Sequence, residues 1–477
     1  MPRPKNVLFY TAVVLLFGAG IYGLLVFGSR METASAAPAV TASAESPGPA
    51  AEGFAESLRH PASLLLLQMI VIVAAAKGLG ALVLRIGQPP VIGEMIAGIL
   101  LGPSLLGMLA PAAHAFLFPA SSLGTLQLLS QIGVILFMFV VGMELDLESL
   151  YKNADSAVLV SHASIVVPFF LGTAAALLLY PTLAPAGLPF SAFGLFVGVS
   201  MSITAFPVLA RILEERRLSR TPLGTTAITC AAVDDVTAWC LLAVVVALVK
   251  ADGLGGALLT IFLSLLFIVG MLFLVRPRAG RLLGGRAASV AGDTGFLAAI
   301  LVFVLVSALT TEIIGIHALF GAFLAGVCIP RGAGLREQLR HRLEALSSVF
   351  LLPLFFAFTG LRTQIGLLDD WQSWLICAGI IAVAIAGKLG GTLIAARWTG
   401  MGWGDSFALG ALMNTRGLVE LIVLNLGYDL GILSPRIFAM LVLMALITTF
   451  MTGPLLSLVG WLRQRPLPAA VQGSANL

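Results

Sequence analysis

Charge is scarce in this chain. Of its 477 residues only 10% are Asp, Glu, Lys or Arg and 8% are aromatic, while 59% are apolar. A soluble domain carries about 25% charged residues. Mean hydropathy is +1.04. These values exclude a water-soluble enzyme built on one core, and they exclude a disordered chain. Cysteine is also rare: Cys230, Cys240, Cys328 and Cys377 all stand in apolar runs, without a Cys-x-x-Cys pair. That leaves neither a disulfide framework nor a zinc site. Basic residues outnumber acidic ones by only 27 to 23, a net charge of +4, which is too little to point to nucleic acid.

Long apolar runs fill the rest. A membrane span takes about 20 residues, so the length admits about 14 spans and no sizeable soluble domain. The first run is residues 7–27. Arg3 and Lys5 precede it, and Ala34-Ser35-Ala36 resembles a cleavage site, so residues 1–28 read as a signal anchor or a signal peptide. Residues 29–61 are rich in Ala, Ser and Pro and read as a disordered extracytoplasmic linker. Thirteen runs follow in a transmembrane domain of 62–465, near 62–84, 90–108, 123–143, 157–180, 190–212, 222–249, 254–275, 294–313, 316–330, 347–364, 372–396, 405–428 and 437–462. Residues 466–477 form a short tail.

The basic residues test this division. With the N-terminus inside, nineteen of the 27 Lys and Arg fall on the inner side and five on the outer. Lys77, Lys388 and Arg416 lie within runs. A miscounted span would scramble the asymmetry from that point onward. The expectation is an all-α polytopic protein of the bacterial inner membrane with a cytoplasmic C-terminus.

A charge at mid-bilayer costs about 2.5–3.5 kcal/mol on insertion scales, so each one asks for a partner or a task. Asp234 and Asp235 stand together in the sixth run, with no other charge between Thr221 and Lys250. Neighbours on a helix point about 100° apart, so the two carboxylates face different partners. Lys388, flanked by glycines in the eleventh run, is a fitting cation for either of them. Lys77, Glu94, Arg416 and Glu420 complete the set, and Glu312 lies near a span end. Arg416 and Glu420 are four apart and can pair on one face, with Glu94 as the other acid within Arg416's reach. A pure ion pair there predicts that a double charge swap restores expression lost in either single variant.

Two runs are interrupted. The fifth contains Ser202-Ile203-Thr204-Ala205-Phe206-Pro207, where proline removes a donor. The twelfth contains Met413-Asn414-Thr415-Arg416-Gly417. The breaks lie seven runs apart. An odd offset reverses orientation, as an inverted repeat of runs 1–6 and 8–13 requires. Interrupted spans at corresponding positions of two halves point to a transport site at the bilayer midplane. Crossed breaks would bring helix ends and free carbonyls to the aspartates.

These segments resemble the monovalent cation:proton antiporter-2 family, which includes Kef-type and plant cation/proton exchangers. The resemblance rests on residues 202–213 followed by the aspartate pair. It is supported by Gln88-Pro89-Pro90-Val91-Ile92-Gly93-Glu94, Gly98–Pro103, Gly321–Gly326 and Asn414–Glu420, in order across 62–462. It implies a thirteen-helix sodium/proton antiporter fold, a homodimer in the lipid bilayer, and exchange of Na+ or K+ for H+. It further implies that Asp235 carries the monovalent cation and the proton, that Asp234 pairs with Lys388, and that Thr204 and Asn414 sit in the crossed breaks. Many relatives carry an amide where Asp234 stands, and an acidic pair with a lysine resembles the electrogenic sodium/proton type. Kef-type proteins carry a cytosolic nucleotide-binding domain, and the sequence after the thirteenth run is too short for one. No cofactor is implied.

Two other classes compete. An intramembrane aspartyl protease needs carboxylates that converge on one water, which adjacent residues on one helix cannot do. A potassium efflux channel would want rings of carbonyls or charges around a symmetric pore, and one asymmetric aspartate site with repeat breaks argues against it. The reading is therefore a transporter and not an enzyme.

Overall fold

The computed structural model describes residues 60–144, 154–219, 221–250, 254–283, 294–330 and 335–464. The N-terminal segment of 1–28, the linker up to residue 59 and the tail of 466–477 lie outside the described residues.

Each of the thirteen runs forms a helical element. These are α1 (Pro61–Arg85), α2 (Pro90–Leu101), α3 (Ala120–Glu144), α4 (Ala154–Leu183), α5a (Phe190–Ser202) with α5b (Phe206–Glu215), α6 (Pro222–Lys250) and α7 (Leu254–Val269). They continue as α8 (Thr294–Ile314), α9 (Ala318–Cys328), α10 (Leu352–Arg362), α11 (Trp371–Ile385, resuming at Gly391–Trp398), α12a (Trp403–Met413) with α12b (Leu418–Asp429), and α13 (Pro435–Gln464). Ten described helices are long and apolar enough to cross a membrane alone, and the pair α12a and α12b, bent by 42°, makes an eleventh. The fifth and ninth runs do not give single long spans: α5a has 13 residues and α9 has 11. Three short elements were not legible as spans: Leu106–Leu109, Pro111–Leu117 and the amphipathic Leu335–Leu346, which buries Leu335, Leu339 and Leu343. Glu312, at the end of α8, accepts from the Ala318 amide at 2.8 Å and so caps α9. Trp371 and Trp374 at one end of α11, and Trp398 and Trp403 at the other, are exposed, as an aromatic belt at two membrane interfaces would be.

The helices pack in two groups. α1–α3 lie with α8–α10, and α4–α6 lie with α11–α13. Lipid gives helices no hydrophobic reason to associate, so packing depends on close backbone approach through small residues. In the first group α2 meets α10 at Gly98 and Gly360. A Cβ on Gly98 would lie 2.0 Å from the Ala357 carbonyl oxygen, and one on Gly360 2.5 Å from that of Met95. α3 meets α9 in the same way: a Cβ on Gly142 or Gly326 would lie 2.1 Å from the Phe323 or Phe139 carbonyl oxygen.

Side chains tie the two groups together. Arg362 of α10 reaches Asp429 at 2.8 Å and Asn425 at 3.2 Å on α12b, and Gln127 of α3 at 3.0 Å. Its guanidinium also lies over the Phe358 ring, 4.5 Å from the centroid.

The glycine seams predict a contrast. Gly98→Ala should lower the thermal midpoint in detergent, at a cost of about 1–3 kcal/mol for overpacking. Gly124→Ala on α3, whose Cβ would meet nothing within 4 Å, should leave it unchanged or slightly raised. Equal midpoints for the two variants would refute the seam.

Candidate ion site at the crossed breaks

The two interruptions meet. α5a ends at Ser202 and α5b begins at Phe206; α12a ends at Met413 and α12b begins at Leu418. Broken helices leave end groups unpaired, and in an apolar surround each must find a partner. The Ala205 amide donates to the Thr415 carbonyl at 3.0 Å. The Thr204 hydroxyl lies 3.0 Å from the Met413 carbonyl and shares its one proton between that carbonyl and Asp234. Thr449 of α13 brackets Arg416, accepting from its amide at 2.9 Å and donating to its carbonyl at 2.8 Å. Gly417 allows the close approach, since a Cβ there would lie 2.7 Å from Val208 Cγ2.

The carbonyls at the end of α5a are met by two cations. Arg416 donates to Ser200 O at 2.9 Å and Met201 O at 2.7 Å. Lys388 donates to Ser202 O at 2.5 Å. A helix C-terminus carries partial negative charge, which both side chains offset.

Lys388 reaches this point because α11 changes pitch. Ala386–Gly390 is a π-helical turn, a feature that often marks functional positions. Gly387 in that turn fits against Pro168 of α4, where a Cβ would come within 2.8 Å of the Pro168 Cα. Pro168 has no amide hydrogen, so the Ser164 carbonyl one turn earlier loses its helical donor. Lys388 Nζ replaces that donor at 2.8 Å.

The aspartates differ in their surroundings. Both are buried, Asp234 at 0% and Asp235 at 2% exposure. Asp234 accepts from Ser161 at 2.5 Å, Ser164 at 2.7 Å, Thr204 at 2.7 Å and Lys388 at 2.9 Å. Asp235 points elsewhere, toward the Phe206 amide that opens α5b. Its Oδ1 has no hydrogen-bond partner, and neither amide atom of Asn414 has one. Sequence reasoning missed Ser161, Ser164 and Pro168. Their signal was a Ser-x-x-Ser followed four residues later by proline in an otherwise apolar run.

Arg416 and Glu420, both fully buried, approach to 3.2 Å. Glu94 of α2 instead takes Lys77 of α1 at 3.1 Å, so the structure does not join Arg416 to Glu94. The pair is also not a pure ion pair, because the guanidinium serves the α5a carbonyls as well.

Residues 69–461 match the family described as sodium/hydrogen exchanger, transmembrane. The Na+/H+ antiporter NhaS4 of Synechocystis is 46% identical over 393 residues, which are 82% of this chain and 96% of that protein. Cation/H+ antiporter 17 of Arabidopsis thaliana is 41% identical over 402 residues, 83% of this chain and 48% of the plant protein. K+/H+ antiporter 1 of Saccharomyces cerevisiae is 34% identical over 412 residues, 84% of this chain and 46% of the yeast protein. The chain thus spans about half the length of these plant and yeast relatives. Among solved structures, the sodium proton antiporter MjNhaP1 of Methanocaldococcus jannaschii shares the fold. Its TM-score is 0.57 at 13% identity, covering 84% of this chain and 97% of that one.

The geometry revises the charge-swap expectation. Arg416→Ala should reduce folded yield sharply, since breaking a buried pair costs about 3–5 kcal/mol. The double swap Arg416→Glu with Glu420→Arg should not restore it, because a carboxylate at 416 cannot donate to Ser200 and Met201. Recovery of the swapped protein to wild-type yield by size-exclusion chromatography would show that the carbonyl contacts contribute nothing.

Proposed function

This chain belongs to the transmembrane sodium/hydrogen exchanger family, and we propose that it exchanges a monovalent cation, Na+ or K+, for protons by alternating access, with Asp235 as the carrier. One observation carries the assignment. Asp235 is buried at the crossing with an unpartnered carboxylate oxygen, while Asp234 is filled by four donors. A buried carboxylate with one oxygen unpartnered and no cation beside it takes up a proton or a cation. Asn414, with its amide oxygen equally unpartnered, offers a second oxygen to a hard cation. The amide at the start of α5b and the break carbonyls supply the rest of a polar lining. The relatives named for Na+, K+ and general cation exchange support both ions as substrates.

Asp234 holds Lys388, and Thr204 orients Asp234. In this reading the chain is a homodimer in the bacterial inner membrane with its C-terminus in the cytoplasm, and it serves pH and cation homeostasis. The basic-loop asymmetry supports the orientation.

Asp235→Asn should reduce cation-induced dequenching of a pH dye in proteoliposomes to the level of empty liposomes, with an unchanged elution profile. Exchange at the wild-type rate would remove Asp235 as carrier.

The acid pair and lysine predict electrogenic exchange. If the cation displaces Lys388 from Asp234 and each of Asp235 and Lys388 releases a proton, two protons move per cation. One net charge then couples to about 2.3 kcal/mol per 100 mV. With the potential clamped by valinomycin and sodium as the transported ion, the rate should follow the imposed potential. A rate indifferent to it would establish a one-proton, electroneutral cycle.

A further inference from the structure

A cavity of about 500 Å3 opens where the start of α6 meets the turn between α11 and α12a. Its wall includes Val160 of α4, Thr221 and Thr226 at the start of α6, and Thr399, Met401 and Asp405. Leu218, Pro222 and Leu223 complete a mostly apolar wall, in which three hydroxyls and a carboxylate give water its partners. It lies away from the crossing, and nothing in the mechanism above uses it.

Its floor leads to the other aspartate. On α6, Thr226, Cys230 and Asp234 follow at four-residue spacing and share one face. Thr226 lines the cavity, and Asp234 stands two turns beyond, about 12 Å along the axis. On α4, Val160 lines the cavity and Ser164, one turn on, donates to Asp234. Ser161, next to Val160, donates to the other oxygen of Asp234. α4 and α6 pack together, so both ladders climb from the cavity to Lys388 and Asp234. Val160 and Cys230, both buried, stand between the cavity and the pair. Asp235, rotated by about 100°, faces the amide at the start of α5b instead.

We propose that this cavity is a proton inlet. Water in it exchanges protons through Ser161 and the neck at Val160 and Cys230 with the Asp234–Lys388 pair, apart from the path of the cation to Asp235. Each transfer gives one proton from cavity water to the neutral Lys388 amine or the Asp234 carboxylate, and bulk buffer replaces it. The inference rests on the exchange activity proposed above. The charged groups around the route are Asp235, Arg416 and Glu420 within the bundle and Asp405 on the cavity wall. Arg397 is turned to the Met401 carbonyl and the Trp403 ring, and His162 is exposed on α4.

The test places Thr226→Cys in a background with Cys240, Cys328 and Cys377 replaced by alanine and the buried Cys230 kept; the same background with Thr226 intact is the labelling control. Exchange is measured in proteoliposomes after modification by methanethiosulfonates of similar size and opposite charge, then after reversal with dithiothreitol. Mass spectrometry should show labelling, because the cavity holds water. Both adducts should slow exchange about tenfold, on the scale of an impeded proton transfer, and reversal should restore it. The anionic adduct stabilises protonated forms and should move the pH–rate profile up by about half a unit; the cationic adduct should move it down by as much. No labelling, an unchanged rate, or equal slowing without opposite shifts would each overturn the inlet. If Thr226→Cys or its background does not fold, Asp405→Asn gives the second reading: a profile shifted to lower pH supports the inlet, and an unmoved one overturns it. A wild-type chain that exchanges neither Na+ nor K+ for protons would instead refute the exchange reading; wild-type exchange with indifferent adducts refutes the inlet alone.

Discussion

Two helices that break inside an apolar bundle must have their ends satisfied, and the rest of the site follows from how that is done. The last carbonyls of α5a, from Ser200 to Ser202, all accept from side chains on other helices, Arg416 and Lys388. The end of α12a is satisfied by Thr204 and Ala205 of the opposite break. Each break therefore supplies donors to the other, and neither is sound alone. The π turn in α11, the proline in α4 and the glycine at 417 all serve to bring these groups within hydrogen-bond range.

That arrangement also makes two adjacent acids unequal. A buried ion pair is favourable only when good geometry and further hydrogen bonds offset desolvation. Asp234 meets the condition with three hydroxyls and Lys388. Lys388 meets it with two backbone carbonyls besides the carboxylate. Asp235 is one residue away and receives none of these donors. The helix itself separates a fixed acid from an available one, which a pair on separate helices would not do as cleanly.

Much of this was legible in the sequence. The thirteen runs and the two interruptions could be read because lipid tolerates few polar residues, so each deviation stands out. Asp234, Asp235 and Lys388 were visible for the same reason. What could not be read was direction. Ser161 and Ser164 look like ordinary helical serines until Pro168 is seen to free the carbonyl beneath Lys388. Glu94 and Glu420 are equally plausible acids for Arg416 in the sequence, and only the fold gives Glu94 to Lys77. The short α9 and the amphipathic Leu335–Leu346 were blurred because length along an apolar run does not say where a helix ends.

The seams of the bundle differ in kind, and this bears on motion. Within α1–α3 and α8–α10 the contacts at Gly98, Gly142, Gly326 and Gly360 are backbone against backbone, with no space for even one Cβ. Such surfaces interlock and cannot slide without opening a void. Between the two groups the polar ties are side chains: Arg362 to Asp429 and Asn425, Gln127 to Asp429 at 3.0 Å, Asn425 to Thr359 at 2.8 Å, and Gln88 to the Phe450 carbonyl at 3.2 Å. These can part and find water at a membrane face at a cost of only a few hydrogen bonds. The crossed breaks lie wholly within the group of α4–α6 and α11–α13. A cycle that carries Asp235 from one face to the other would therefore move that group as a body and run along the side-chain seam, leaving the site's own hydrogen bonds intact.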